Sequence, residues 1–518
     1  MSASREKKIR QELAASGAPD PKKIRQDEEL ARQRRSNLLY GGIALLFVVV
    51  AAALLVWNSH VIQRGTTALT VDGQKFSAAE VDYYYHSAYN NLRSSQYASY
   101  MGLDGTVNLS TDTLNDTAKM FLGVEEDMTW DAYLKDNAKE NLTQIAMLSK
   151  AAEADGFAFT DEMQQEVDQT LAQFKENAAT NGMTLGSYLK AAFGKNMTTA
   201  TVKNILKNAT LASSFAQHHS DSLTYTEDEL TDAYLEHLDD YDVVSYESIF
   251  FNGTAASTTD AEGNTVEPSE EESAAAQAAA QAAAQEAMAR YENGEGLEEI
   301  AEDLENASYS QQDAATYTDT VVTRWLFDET RQAGDAELLD SDSSFYLVVF
   351  HSRGRNDYNT VDARHILFLV DSSALDSASK TYDMELEKLK EEARTKAEET
   401  LQQWKDGEAT EESFAALAGE LSEDPGSQAN GGLYEQIYHD QMVQSFNDWC
   451  FDPVRKTGDT GIVETSYGYH IMYFVGQNDP YWQVQVGNTL RTEAQTQWLE
   501  TLVADVTAET GSGMRYVG

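Results

Sequence analysis

Two histidines in the C-terminal half of the chain lie in segments whose composition predicts β-strands. His365 lies in Val361-Asp-Ala-Arg-His-Ile-Leu-Phe368, and His470 lies in Ser466-Tyr-Gly-Tyr-His-Ile-Met-Tyr-Phe474. Both segments are rich in β-branched and aromatic residues, which favour strands. If the two strands are neighbours in one sheet, their imidazoles can meet and share hydrogen bonds.

Polar and apolar residues between the two histidines could complete a site. Asp424 lies in Leu421-Ser-Glu-Asp-Pro-Gly-Ser427, a turn-forming run, and Asn430-Gly-Gly432 follows it. Met442 and Phe446 are four residues apart, a spacing that places two side chains on one face of a helix. A carboxylate, two imidazoles and an apolar surface are therefore expected to converge.

Each of these residues also has an ordinary structural explanation. A lone histidine on a strand is more often a hydrogen-bonded core residue than a catalytic one. Met442 and Phe446 have the spacing of core packing, Asp424 before Pro-Gly is a common turn residue, and Thr465 entering a strand needs no functional reason. The functional hypothesis depends on the context of these residues.

A duplicated motif supplies part of that context. Trp325-Leu-Phe-Asp-Glu-Thr-Arg-Gln-Ala-Gly-Asp335 and Trp449-Cys-Phe-Asp-Pro-Val-Arg-Lys-Thr-Gly-Asp459 share the pattern W-x-F-D-x-x-R-x-x-G-D. A structural unit was therefore duplicated, and each copy is predicted to run strand, helices, strand. Only the second copy is flanked by histidines, because Ser248 and Tyr346 align with them in the first. The shared motif is then expected to be scaffold.

The second copy resembles the parvulin peptidyl-prolyl isomerases. The similarity rests on Ala-Arg-His-Ile-Leu, Ser-Glu-Asp-Pro-Gly-Ser, Gly-Gly-Leu, Met-x-x-x-Phe and Gly-Tyr-His-Ile in this order, within residues 358–476. With its N-terminal anchor, helical region and C-terminal helix, the whole chain resembles extracytoplasmic foldases of the PrsA and SurA type. The first copy, residues 243–353, resembles a parvulin module that has lost its site.

The resemblance implies an activity and roles for seven residues. Parvulins accelerate rotation about the X-Pro bond, whose uncatalysed barrier is roughly 18–20 kcal/mol. The proline pocket would contain Leu433, Met442 and Phe446, and the hydrogen-bonded catalytic floor would contain His365, His470, Asp424 and Thr465. The histidines are expected to orient the network and not to attack the substrate.

The sequence departs from the common parvulin pattern at the edge of the implied pocket. Gly431-Gly432-Leu433-Tyr434 lacks the Asp and the second Gly of a Gly-Asp-Leu-Gly run, and Tyr467 stands where a small hydroxyl residue is often found. No basic cluster in this copy would recognise a phosphorylated side chain. We therefore expect no phosphate selectivity.

Composition and charge limit the possible partners. The chain has 518 residues, enough for about three or four domains, and a formal net charge of −48. Nucleic acid is therefore an improbable partner. The acidity could serve solubility, attract basic unfolded clients or reflect a cation-rich exterior. The single cysteine, Cys450, allows no intramolecular disulfide and aligns with Leu326, so we expect a buried residue and no nucleophile.

The N-terminal region predicts a membrane anchor. Residues 38–57 are 20 residues without a charge, enough for a helix to span roughly 30 Å of hydrocarbon. Arg32, Arg34 and Arg35 precede it, so residues 1–37 are expected in the cytoplasm and the bulk of the chain outside. The long basic lead favours an uncleaved anchor over a signal peptide.

The fold class expected from these elements is α+β. A strand pair at Thr66–Phe76 and a capping box beginning at Ser77 open residues 66–240, a mainly helical, chaperone-like domain with a long loop at 100–127. Residues 482–518, with a helix predicted over Trp482–Thr510, should return to complete this domain, because its apolar face needs a partner. The two parvulin-like modules, 243–353 and 358–476, are expected to be small antiparallel sheets with helices.

The leading functional hypothesis is a single-pass, membrane-anchored isomerase and chaperone that acts on unfolded exported polypeptides. The alternative is a non-catalytic holdase whose two modules only bind peptide or act as spacers, and a third possibility is a structural envelope protein. The sequence has no nucleotide-binding loop, metal signature or protease triad. We therefore expect no cofactor and no dependence on ATP.

Overall fold

The structure, a computed structural model, describes residues 7–8, 48–50, 61–260 and 263–518. Two compact units are formed, one by the chain up to Ser222 together with Ala494–Gly518, and one by Leu223–Glu493. The expected mixture of helices and small antiparallel sheets is confirmed. The predicted anchor at residues 38–57 lies outside the described residues except for 48–50, and no helix among the described residues is long and apolar enough to cross a bilayer.

The first unit opens with the predicted strand pair and helix. The turn between the strands uses Asp72 and Gly73 with positive φ, and Ser77 and Glu80 form the predicted capping box. Its elements before Ser222 are α1 Val61–Gly65, β1 Thr67–Val71, β2 Gln74–Ser77, α2 Ala78–Ser94, α3 Asp116–Leu122, α4 Trp130–Asp155, α5 Asp161–Thr180, α6 Leu185–Phe193 and α7 Thr199–Ser222. The prediction of a long loop at residues 100–127 was partly wrong, because this segment contains α3.

The second unit begins with two short helices and the first module. Its elements are α8 Glu227–Glu236, α9 Leu238–Tyr241, β3 Asp242–Phe251, β4 Thr258–Thr259, β5 Thr265–Val266, α10 Glu270–Glu292, α11 Leu297–Asp303, β6 Ala307–Ala315, α12 Val321–Leu326, β7 Ala336–Ser341 and β8 Ser344–Arg355. The main sheet has the order β6-β3-β8-β7. Helices α10 and α11 pack on one face, and α12 packs on the other.

The second module repeats this plan. Its elements are β9 Asn359–Leu369, α13 Tyr382–Asp406, α14 Glu411–Leu421, a 3₁₀ turn at Gln428–Asn430, β10 Leu433–Ile437, α15 Gln444–Cys450, β11 Thr460–Glu464 and β12 Gly468–Pro480. The sheet order β10-β9-β12-β11 is equivalent to that of the first module. Ile366 and Ile471 face α13 and α14, so the alternate residues of the same strands face α15.

The duplicated motif performs the same structural task in both modules. In each copy the arginine donates from Nε to the tryptophan carbonyl oxygen, at 3.1 Å for Arg331 and 3.0 Å for Arg455. The guanidinium groups lie 4.4 and 4.1 Å from the ring centroids of Trp325 and Trp449. The Gly-Asp end of each motif exchanges backbone hydrogen bonds with the closing strand. The motif is therefore a clamp between helix and sheet.

The C-terminal segment consists of α16 Tyr481–Val503, β13 Ala508–Thr510 and a 3₁₀ helix at Ser512–Tyr516. Within the first unit, Trp498 stacks on His219 with ring centroids 3.8 Å apart. Strand β13 pairs with β1 in the order β13-β1-β2. The helix predicted over Trp482–Thr510 is therefore too long, because residues 508–510 satisfy their backbone hydrogen bonds in this sheet.

Candidate active site

The two histidines meet on the face of the second sheet that α15 covers. Strands β9 and β12 are antiparallel neighbours, with His365 opposite Met472 and His470 opposite Leu367. Because alternate residues share a face, His365, Met472 and His470 point the same way. The two Nδ1 atoms are 2.9 Å apart, and both imidazoles are buried. The predicted strand adjacency is confirmed.

A chain of hydrogen bonds passes through both imidazoles. His470 Nε2 lies 2.8 Å from Thr465 Oγ1. At the other end, His365 Nε2 lies 2.8 Å from Asp424 Oδ2 and 2.9 Å from Ser427 Oγ. Ser427 donates its hydroxyl proton to the same Asp424 oxygen at 2.5 Å. The four residues that the sequence assigned to the floor are thus brought together.

Electrostatics keeps both imidazoles neutral at neutral pH. Burial lowers the pKa of His365, and its hydrogen bond to Asp424 only partly opposes this effect. Burial and repulsion from His365 lower the pKa of His470 to about 4. Burial alone would raise the pKa of Asp424, but hydrogen bonds from Ser427, His365 and the backbone of Gly426 outweigh it and lower the pKa to about 2. The pair is neutral beside a carboxylate.

Neutrality fixes the direction of each proton in the chain. The Asp424 carboxylate can only accept, so His365 must donate from Nε2, and its Nδ1 is then an acceptor. His470 therefore donates from Nδ1 and accepts at Nε2 from the Thr465 hydroxyl. Thr465 Oγ1 in turn accepts the backbone N–H of Tyr467 at 3.1 Å. Both histidine tautomers follow from counting donors and acceptors.

The turn that carries Asp424 is fastened to the end of β9. Glu423 donates its backbone N–H to the carbonyl oxygen of Leu367, and Leu367 donates its N–H to Ser422 Oγ at 3.1 Å. Within the turn, Gly426 donates its N–H to Asp424 Oδ1 at 3.2 Å. These contacts occupy β9 backbone groups beyond the residues that pair with β10. They position the carboxylate against His365.

A close approach explains one departure from the common parvulin pattern. Gly432 has φ +75°, and a Cβ there would lie 2.2 Å from the carbonyl oxygen of His365 and 3.0 Å from Ala418 Cβ. Gly432 also accepts the backbone N–H of His365 at 2.8 Å. An aspartate at this position would therefore collide with the strand that carries the first histidine. Glycine is required by the geometry.

An apolar cleft of about 430 Å³ opens above the imidazoles. Phe446 meets both rings edge-on, with centroids 5.5 Å from His365 and 5.6 Å from His470. The cleft is lined by His365, Leu367, Leu369, Glu423, Asp424, Pro425, Tyr434, Gln441, Met442, Val443, Phe446, Tyr467 and His470. Such a volume lies in the usual range for small-molecule sites, about 300–1,000 Å³.

Two expected binding residues are placed differently from the prediction. Met442 lines the cleft, but it precedes α15, so the prediction that it shares a helical face with Phe446 was wrong. Leu433 begins β10, is half-buried and is not among the residues that line this cleft in the described structure. The register of β10, where Leu433 pairs with Arg364, sets that position.

Two polar residues of the site were not predicted. Ser427 is fully buried and contacts both Asp424 and His365. It could have been found, because it closes the Ser-Glu-Asp-Pro-Gly-Ser run. Tyr434 donates its hydroxyl to Asp424 Oδ2 at 3.1 Å. The sequence gives no sign of this contact, because it depends on the register of β10.

The site offers hydrogen bonding and an apolar wall but little reactive chemistry. Cys450 is buried, and burial raises its pKa to about 12. Among the residues that the structure describes, no group of three or more His, Cys, Asp or Glu side chains is arranged to hold a metal ion. The arrangement suits the binding and reorientation of an apolar ring near a carbonyl.

The first module lacks the histidine network at the equivalent place. Ser248 pairs with Val348 as His365 pairs with Met472, so Tyr346 occupies the register of His470. Ser248 is buried, and Tyr346 packs its ring against Phe250 at a centroid distance of 5.0 Å. The two modules therefore share a sheet order, but the hydrogen-bonded pair is found only at the second of these two registers.

Comparison with known proteins agrees with this geometry. Residues 346–477 match the family model described as the PPIC-type PPIASE domain. The second module is therefore a domain of the parvulin class, and the resemblance recognised in its motifs is confirmed. The match covers only this part of the chain.

Its relatives include foldases. The chain is 34% identical over 68 residues to Foldase protein PrsA 1 of Listeria innocua and 32% identical over 108 residues to Foldase protein PrsA 4 of Bacillus cereus. These alignments cover 13% and 20% of this chain, and 23% and 37% of the two relatives. Among solved structures, PrsA from Bacillus subtilis aligns with 76% of this chain and 90% of its own, with 14% identity and a TM-score of 0.30.

Proposed function

We propose that the chain is a membrane-anchored, extracytoplasmic peptidyl-prolyl cis-trans isomerase and chaperone that assists the folding of exported proteins. The observation that carries the proposal is the neutral His365–His470 pair, joined to Asp424 at the foot of an apolar cleft. The family match over residues 346–477 and the similarity to foldases support it. The cytoplasmic tail 1–37 and anchor 38–57 belong to this proposal.

The mechanism follows from the nature of the barrier. Rotation about an X-Pro bond breaks amide resonance and no covalent bond, and its barrier is roughly 18–20 kcal/mol. A catalyst must bind the twisted amide more tightly than the planar one. In our proposal, Phe446 and Met442, which line the cleft, contact the proline, and Leu433, which lies outside it, contacts a residue that flanks the proline. The network formed by His365, His470, Asp424 and Thr465 supplies fixed dipoles beside the rotating carbonyl group.

A chaperone role is proposed for the first unit, which ends at Ser222 and is completed by Ala494–Gly518. The domain predicted at residues 66–240 and 482–518 is wider, because residues 223–240 and 482–493 belong to the second unit. Unfolded exported polypeptides expose apolar segments, which need an apolar surface to bind. Between residues 61 and 222 of the first unit, the large hydrophobic side chains that remain exposed are Tyr97, Tyr100, Met120, Phe121 and Met183. Exposed apolar side chains that lie close together, such as Tyr97 and Phe121 at 4.9 Å, are typical of interaction surfaces. We propose that these residues contact client segments.

An isomerisation assay on the full chain tests the enzymatic part. The trans content of a short prolyl peptide would be followed by NMR exchange with wild type and with His365→Ala and His470→Ala. We expect wild type to accelerate exchange and each variant to lose about tenfold or more in kcat/KM, because one hydrogen-bonded partner of the network is removed. Ser248→Ala, the matched change in the first module, should leave the rate unchanged. A wild-type chain without acceleration refutes the proposal.

The alternative is a holdase without isomerase activity, and the exposed apolar side chains of the first unit favour it as a second candidate. Suppression of aggregation of a denatured protein separates the two. If wild type and His365→Ala suppress aggregation equally and neither accelerates isomerisation, the holdase explanation holds. If isomerisation is observed, the second module is an enzyme whatever the outcome of the aggregation assay.

A further inference from the structure

Tyr434 is the least expected member of the site. It lies on β10 opposite Ala363, is half-buried, and directs its hydroxyl to Asp424 Oδ2 at 3.1 Å. It stands where the common parvulin pattern has a glycine, so the contact is a property of this chain. The turn makes room for it, because a Cβ at Gly426 would lie 2.9 Å from the tyrosine hydroxyl.

The contact completes the hydrogen bonding of one carboxylate oxygen. Asp424 Oδ2 accepts from His365 Nε2, Ser427 Oγ and the Tyr434 hydroxyl, while Oδ1 accepts the backbone N–H of Gly426. Ser427 and Gly426 belong to the same turn as Asp424, so they move with it. His365, on β9, and Tyr434, on β10, are the donors that tie the carboxylate to the sheet, and Tyr434 is the one outside the histidine pair.

The hydroxyl remains a donor across the working pH range. Burial and the nearby Asp424 carboxylate raise the pKa of Tyr434. The other titratable groups that line this cleft are His365, His470, Glu423 and Tyr467. Glu423 accepts the backbone N–H of Leu369, so it is engaged away from Asp424.

We propose that Tyr434 is a positioning residue of the isomerase site. By donating to Asp424 it holds the carboxylate as the fixed acceptor of the His365 Nε2 proton, and this acceptor sets the tautomers of both histidines. The proposal rests on the proposed isomerase function of the second module. Tyr434 acts through Asp424, so its removal should disturb the network more than substrate binding.

Tyr434→Phe in the full chain tests this role, because it removes one oxygen and keeps the ring. We expect kcat for a prolyl peptide to fall about three- to tenfold with little change in KM, as for the loss of one hydrogen bond of typical strength, because the carboxylate keeps its three other donors. In ¹⁵N NMR with labelled histidine, the signal of the His365 Nε2 proton should broaden or shift. Tyr438→Phe, the same change at the residue that follows the end of β10, should leave kcat, KM and the signal unchanged.

Two results would overturn the proposal. One is a Tyr434→Phe variant with wild-type kcat and an unchanged His365 signal. The other is a raised KM with kcat and the signal unchanged, which would make Tyr434 a substrate-binding residue. If wild type itself has no isomerase activity, the proposed function fails, whereas the NMR signal still decides whether Tyr434 holds the Asp424–His365 hydrogen bond.

Discussion

Acidification is a direct test of the neutral histidine pair. Burial and the neighbouring imidazole lower the pKa of His470 from 6.5 to about 4. Each pH unit corresponds to about 1.36 kcal/mol, so the site prefers neutral His470 by about 3 kcal/mol relative to water. At pH 6, about 1% of His470 should then carry a charge. Activity that depends on neutral His470 should be constant from pH 8 to about pH 5.5.

Two measurements on the full chain check this prediction. The pKa of His470 is obtained by NMR titration of labelled histidines, with the His470→Gln variant identifying its signal. The rate constant kcat/KM is measured against pH with a prolyl peptide that has no titrating side chain. We expect a His470 midpoint below pH 5 and no activity loss above about pH 5.5. A midpoint near 6.5, or activity lost above pH 6, would refute the neutral pair.

The same shift predicts how stability depends on pH. Unfolded His470 binds a proton as pH falls below 6.5, whereas the folded side chain does not until about pH 4. The free energy of unfolding is therefore unaffected by this group above pH 6.5 and decreases as pH falls toward 4. The loss between pH 6.5 and 5 should be about 2 kcal/mol. A His470→Phe variant measured by urea unfolding should lack this part of the slope.

Three further predictions concern Gly432, the buried Cys450 and the two arginines of the duplicated motif. Gly432→Ala should destabilise the second unit by about 1–3 kcal/mol or more in urea unfolding, because a strained φ is combined with a backbone clash. As a control, Gly458→Ala also has a positive φ, but its Cβ would meet nothing closer than 4.0 Å, so it should cost less. Cys450 should react with a thiol reagent only after denaturation, and rapid labelling of the folded chain would contradict its burial. Arg331→Gln and Arg455→Gln should each lower the free energy of unfolding by roughly 1–2 kcal/mol. A large loss of isomerase activity in the Arg331→Gln variant alone would contradict a structural role for this arginine.

The sequence predicted the elements that carry the site better than the contacts inside it. Strand composition correctly indicated the two strands that bear His365 and His470, and these strands are neighbours, as the sequence had left possible. They did not predict the contact between Tyr434 and Asp424, because a side chain's partner across a sheet depends on register, and a single shifted residue reverses its face. Met442 was placed on a helix because its spacing to Phe446 fits one, but the chain begins α15 only at Gln444.

The other wrong predictions concern short elements. The seven-residue helix α3 lies in a weakly periodic segment, and it is capped by Asn115. The three residues of β13 have no strand propensity that would distinguish them from the end of a helix. They form a strand because they pair with β1. The capping box at Ser77 was predicted correctly, because it is a local contact between residues three apart.

The pairing of β13 with β1 has a consequence for biogenesis. Leu69 pairs with Thr510, so the sheet of the first unit cannot be completed until residue 510 has been synthesised. At 5–20 residues per second, the ribosome needs roughly 20–90 s to pass from β1 to β13. The second unit is one uninterrupted stretch, Leu223–Glu493, and all of it can fold earlier. During this interval the first unit lacks strand β13, so the backbone groups of β1 that pair with it remain available to other partners.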